Sequence, residues 1–122
     1  MINSSINAIR QLIGAKDFNE SRRFYHSLDF TEVQLGPNMS YFSISNKIGF
    51  YLQSAYVKDW VDNTMLFLES SDLDQYHSDL TDLNLPEKFK GVRLSSIKKE
   101  EWGREFFLHD PSGVLWHIGE FK

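Results

Sequence analysis

Two histidines flank a turn near the C-terminal end of the sequence, in REFFLHDPSGVLWHIGEF, residues 104–121. His109 closes one apolar run and His117 lies inside the next, with Asp110-Pro111-Ser112-Gly113 between them. An Asp-Pro-x-Gly sequence reverses the chain, so the two runs predict a hairpin whose neighbouring strands each carry an imidazole. Imidazoles on adjacent strands could help hold a divalent ion if carboxylates completed the set, and Glu105 and Glu120 are the local candidates. An imidazole in a cleft could equally act as a general base.

Composition narrows the rest. Absence of cysteine among the 122 residues removes disulfides, thiolate metal sites and cysteine nucleophiles, and fits a reducing compartment. The 13 Lys+Arg are scattered among 17 Asp+Glu, for a formal charge of −4, so no nucleic-acid partner is expected. The N-terminal MINSSINAIRQ has no basic stretch followed by an apolar one, and no long apolar run follows, which predicts no membrane partner and a cytoplasmic location. Asn3, Asn19 and Asn38 head N-x-S sequons, read as chance matches without a secretion signal. KKEEWG (98–103) is a polar loop, and no phosphate loop, nucleotide fingerprint or nucleophile elbow occurs; no cofactor is expected.

The elements that position the histidines come from an internal repeat. DFNESRRFYHSLDF from Asp17 aligns with DLDQYHSDLTDLNL from Asp72, with Phe24 on Asp79 as the one poor match. In both copies an acidic N-cap precedes an amphipathic stretch, predicting helices over 18–29 and 73–83. A strand-like run precedes each helix (7–14 and 64–70) and three follow it: 30–35, 39–44 and 48–53 in the first copy, 91–97, 104–110 and 114–120 in the second. Each half therefore reads β-α-β-β-β. The fold class is α+β: two tandem βαβββ modules forming a curved, cup-like mixed sheet with helices on the outside. Residues 1–122 form one domain, with module one over 6–54, a strap over 55–62 that carries Trp60, and module two over 63–121.

This tandem arrangement, with AKDFNESRRFYHSLDF in one half and REFFLHDPSGVLWHIGE closing the other, resembles the glyoxalase/bleomycin-resistance/extradiol-dioxygenase (vicinal oxygen chelate) superfamily. The resemblance spans nearly the whole chain. It rests on the junction Asp17 with Ser21 and Phe24-Tyr25, and on the Asp-Pro-x-Gly turn, none of which is catalytic. It implies a cup, usually completed by homodimerisation, in which the metalloenzymes place His and Glu ligands at four strand positions. Carried onto this sequence those positions are Arg10, Tyr51 (or Gln53 after a slip of two), Met65 and His117.

That set is not a metal site. A guanidinium cannot lose its charge, and two like charges about 5 Å apart cost about 3 kcal/mol at an effective dielectric of about 20. An unusual site joining His109 and His117 to Glu105 or Glu120 is the remaining metal option; otherwise His117 is a pocket hydrogen-bonding group and His109 a surface or rim residue. His26 and His77 read as solvated helix-face residues. Without a metal, an enzyme would use His117 as a base, Arg10 to stabilise an oxyanion and Tyr51 as a donor. The plainer alternative pairs Arg10 with Glu69 or Glu105 and packs Tyr51 on Met65.

The superfamily also includes antibiotic-binding proteins, which hold a drug between two protomers without reaction. On that precedent the expectation is a metal-free binder of a small organic molecule, held in the cup of a homodimer by Arg10, Tyr51, Gln53, Trp60, Met65, Trp102 and His117. The competing readings are a glyoxalase- or dioxygenase-like enzyme and a scaffold with a filled cup. Alternation turns Trp116 away from His117 and into the core. Trp60 and Trp102 fall in loops, where they either plug the core edge or stack on a ligand. Acidic flanks at Asp59, Asp62, Glu100 and Glu101 favour a cationic guest, Arg10 an anionic group.

Overall fold

Asp17 and Asp72 each start a helix by taking up an orphan N–H of its first turn, from Glu20 at 3.0 Å and from Gln75 at 3.2 Å. The computed structural model describes residues 2–122. Its elements in chain order are β1 Leu12–Gly14, α1 Phe18–Ser27, β2 Thr31–Gly36, β3 Met39–Ser45, β4 Ile48–Gln53, α2 Lys58–Asp62, β5 Met65–Glu69, α3 Leu73–Asp82, α4 Leu85–Lys88, β6 Arg93–Leu94, β7 Lys98–Glu100, β8 Gly103–His109 and β9 Leu115–Phe121. The first four strands form one sheet in the order β1-β4-β3-β2, and the second half repeats it as β5-β9-β8-β6, with β7 also pairing β8. These are two tandem βαβββ modules.

The strand register fixes how the halves correspond. β1 runs parallel to β4 with Leu12 opposite Tyr51, and β5 runs parallel to β9 with Phe67 opposite His117. Leu12 and Phe67 are related by the same offset as the two capping aspartates, so Tyr51, not Gln53, is the counterpart of His117. Several elements differ from expectation. The strand predicted over 7–14 pairs only from Leu12, the run over 91–97 is a strand only at Arg93–Leu94, β7 forms in the segment 98–103 read as a polar loop, and the strap contains the one-turn α2. Asn84, at φ 53, ends α3 in the left-handed region, and Pro86 opens the short α4 that the sequence reading lacks.

Alternation along β4 and β9 sends Phe50, Leu52, Trp116 and Ile118 inward, where α1 and α3 cover them. The two halves share this core: Phe50 meets Trp116 with ring centroids 5.2 Å apart, and Tyr25 of α1 meets both rings. Phe24, the poor match of the repeat, packs edge-on against Phe89 at 5.5 Å, whereas its partner Asp79 stays outside and accepts from Gln75. The mismatch thus reflects a real asymmetry, Phe24 being buried against Phe89 and Asp79 exposed.

The two motifs that carry the family resemblance meet in space. The Tyr25 hydroxyl donates to Asp110 Oδ2 at 2.7 Å and accepts from Trp116 Nε1 at 3.1 Å. Asp110 Oδ1 accepts the backbone N–H groups of Ser112, Gly113 and Val114, and Ser112 Oγ accepts that of Lys16. The turn after β8 is thereby clasped to the start of α1. Burial pushes the Tyr25 phenol up well above its ordinary range, and it also raises Asp110 against the pull of its hydrogen bonds.

Candidate functional site

The residues that alternate with the core lie on the other face of each sheet, away from α1 and α3. Across the first sheet one row reads Leu12, Tyr51, Tyr41, Val33, and the next places Gln53 opposite Met39. Arg10, just ahead of β1, lays its guanidinium 4.8 Å above the Tyr41 ring and 6.0 Å from that of Tyr51, and donates from Nη1 to the Tyr51 hydroxyl at 3.3 Å. That hydrogen bond, together with the nearby phenols, raises the Arg10 pKa. The expected partners Glu69 and Glu105 are not used: among the described residues no carboxylate pairs with Arg10, and its Nε is shielded without an acceptor. Gly49 makes room for this group, since a Cβ there would stand 2.3 Å from the Tyr41 hydroxyl.

Across the second sheet one row reads Phe67, His117, Phe107, and an adjoining row reads Met65, Leu115, His109, Arg93. His117 Nδ1 lies 2.9 Å from Glu105 Oε1, and its Nε2 lies 3.5 Å from the Met65 sulfur. The network assigns the imidazole proton to Nδ1, where it is donated to Glu105. Around His117 stands a group of rings: Phe67 is stacked at 6.4 Å and Phe107 is edge-on at 5.0 Å. Trp102 packs on Phe67 at 5.7 Å and on Phe121 at 5.2 Å, across the bare backbone of Gly119. Met65, Phe67 and Phe121 are about half exposed or more, at 60%, 47% and 54%.

His109 is half-buried on this face, and burial, with the charges of Arg93 and His117, lowers its pKa. It makes no bond with His117; each imidazole has separate neighbours. Trp60 projects from α2 at 72% exposure and, with Leu12, Gln53 and Thr64, lines a small cavity of about 80 Å³. The helix histidines are engaged rather than merely solvated: His26 Nε2 lies 2.7 Å from Glu32, and His77 Nε2 is 2.8 Å from the Ser95 carbonyl.

The residues of the four metal-ligand positions therefore divide, Arg10 and Tyr51 on one sheet, Met65 and His117 on the other. Their donors are a guanidinium, a phenol, a thioether and one imidazole already bound to Glu105, which do not fit a divalent cation. Among the described residues no three His, Asp or Glu side chains are grouped to hold one. Tyr41, Phe67, Phe107 and Phe121 are the neighbours that the sequence reading omitted. Phe67 was within reach, two residues after Met65 on one strand; Tyr41 required the register that sets it opposite Tyr51.

No family model matches the sequence, and no curated protein sequence matches it. Solved structures do match. A bleomycin-binding protein complexed with bleomycin superposes with a TM-score of 0.80 at 18% identity, over 95% of this chain and 99% of that one. TnmS3, an antibiotic-binding protein from Streptomyces sp. CB03234, gives 0.68 at 18% identity, over 96% and 98%. Lactoylglutathione lyase from Agrobacterium tumefaciens gives 0.72 at 13% identity, over 96% and 95%. Identities this low establish a shared fold.

Proposed function

We propose that this chain, built on the fold of the glyoxalase/bleomycin-resistance/extradiol-dioxygenase superfamily, is a metal-free binding protein for a small, partly aromatic molecule. The observation that carries the reading is the uncovered ring group Phe67, Trp102 and Phe121 beside His117. Rings left half exposed on a rigid sheet offer a preformed stacking surface, with a hydrogen-bonding imidazole fixed by Glu105 at its edge. The likeness to two drug-binding proteins is of fold, and it supports the same use of that face. Two chains pair so that the first sheet face of one covers the second of its partner, bringing Arg10, Tyr51 and Gln53 over Met65 and His117, with Trp60 and Trp102 at the rim.

A screen of aromatic antibiotics and metabolites, read by tryptophan fluorescence and thermal shift, tests the reading. Hits should weaken at least tenfold in both Trp102→Ala and Phe67→Ala. A broad screen without hits, or hits indifferent to both substitutions, removes it.

The His117–Glu105 pair favours one second reading. A carboxylate holding Nδ1–H leaves Nε2 as a base on an open face, the arrangement a proton-abstracting enzyme needs. Turnover of any bound compound that is abolished in His117→Gln while binding persists would replace the binder with this enzyme.

A further inference from the structure

Arg10 differs from the other arginines anchored in this fold. Arg22 grips Glu32 with both Nε and Nη2, and Arg104 bridges Asp74 and Glu120. Arg10 has no carboxylate among the described residues, although the protein carries 17 acidic residues against 13 basic ones. The guanidinium lies over the Tyr41 ring and beside Tyr51, whose ring is 5.5 Å from that of Tyr41, and it spends one N–H on the Tyr51 hydroxyl. Nη1 reaches Tyr51, and Nε is shielded from water with no acceptor. The cation therefore rests without a counterion among the described residues, and an anion from outside the chain would supply one.

The hydroxyls add to this. Tyr51 accepts from Arg10, so its own proton is free to be donated outward, and the Tyr41 hydroxyl lies across Gly49 in the same group. Guanidinium and phenol donors thus stand together with no resident carboxylate, on a row whose ends are the exposed apolar side chains Leu12 and Val33, at 43% and 52%. On the outer face of the second sheet Glu105 is taken by His117, and Arg93 and Lys98 have no ion pair among the described residues.

We infer that the ligand is an organic carboxylate, and that Arg10, held against Tyr41 and Tyr51, receives its anionic group. A carboxylate accepts charge-assisted hydrogen bonds from the outward N–H groups of the guanidinium, with the Tyr51 hydroxyl as a further donor. The aromatic remainder of the molecule reaches the ring group Phe67, Trp102 and Phe121 that the partner chain brings over this face. Among the described residues no acidic side chain of the strap or of the segment before β8 pairs with Arg10, and Asp62 is taken by Lys58. The inference rests on the small-molecule reading above.

The test offers a set of flat aromatic bodies, naphthalene first, each as the carboxylate, the carboxamide and the aminomethyl cation. Binding is measured by calorimetry at pH 7 and fixed ionic strength, with the Arg10 Nε–H resonance followed by NMR. The carboxylates should bind at least tenfold tighter than the carboxamides and should shift that resonance, with the ammonium compounds weakest. Arg10→Gln should reduce the preference below threefold, and Arg10→Lys should retain part of it; should Arg10→Gln fail to fold, the ranking and the resonance in the unaltered protein decide. Binding with equal affinity for carboxylate and carboxamide, or a preference for the cation, or a carboxylate preference unchanged in Arg10→Gln, overturns this inference and leaves small-molecule binding intact. Failure of every body in every charge state overturns both.

Discussion

Phe50 and Trp116 occupy equivalent positions on β4 and β9 and meet edge to face, 5.2 Å apart, at the centre of the core. Their chain neighbours Tyr51 and His117 are also equivalent, yet alternation puts them on the outer faces of two different sheets. One pair joins the modules and the other is parted by the same strands. Truncation should therefore divide sharply by one position. Phe50→Ala or Trp116→Ala should destabilise by about 3–5 kcal/mol, whereas Tyr51→Ala and His117→Ala should cost about 1 kcal/mol or less. Chemical denaturation of the four variants checks this, and equal losses within each neighbouring pair would contradict it.

The clasp between Tyr25 and Asp110 should be visible as a lost hydrogen bond rather than lost volume. Tyr25→Phe keeps the ring but leaves Asp110 Oδ2 without its donor and Trp116 Nε1 without its acceptor. A destabilisation of about 1–3 kcal/mol is expected at neutral pH. An unchanged denaturation midpoint would mean that the turn is held by its backbone bonds alone.

Glu32 sets an acid limit on stability. Burial pushes its carboxyl up, but hydrogen bonds from Arg22, Ser40 and His26 outweigh that and bring it down to about 2. A carboxylate whose pKa is lower folded than unfolded contributes stability that is complete above the unfolded value, and that stability drains away as pH falls toward the folded one. Since Arg22 and His26 are partly solvated, the contribution is about 1–2 kcal/mol. Thermal unfolding followed from pH 5 to pH 2 should show a decline that is smaller in Glu32→Gln.

Divalent metals should leave the protein indifferent. Zinc, nickel or manganese at millimolar concentration should not raise the melting temperature, because a cation bound only by the folded chain would do so by mass action. A rise of several degrees that disappears in His117→Ala would restore the histidine hairpin as a metal site.

Pairing of chains should respond to the second sheet face. Met65, Phe67 and Phe121 expose apolar surface that a partner would cover. Sedimentation equilibrium should give a dimer that Phe67→Asp weakens by at least tenfold without loss of fold. A monomer at all concentrations would leave each face to act alone.

How much of this was written in the sequence can be told residue by residue. Helix starts at Asp17 and Asp72, the turn at Asp110, the inward course of Trp116 and the βαβββ repeat were legible, because capping, turn chemistry and two-residue alternation are local rules. Tyr51 and Gln53 could not be separated, since both obey the same alternation and only pairing with Leu12 distinguishes them. That Arg10 finds two tyrosines instead of Glu69 or Glu105 was likewise closed to sequence reasoning, because Tyr41 arrives from a strand 31 residues away through the β3–β4 register. The sequence by itself determined the modules and which side chains face outward from each. Tertiary structure decided which outward side chains share a face, because strand register and the packing of Phe50 on Trp116 depend on contacts between segments distant in the chain.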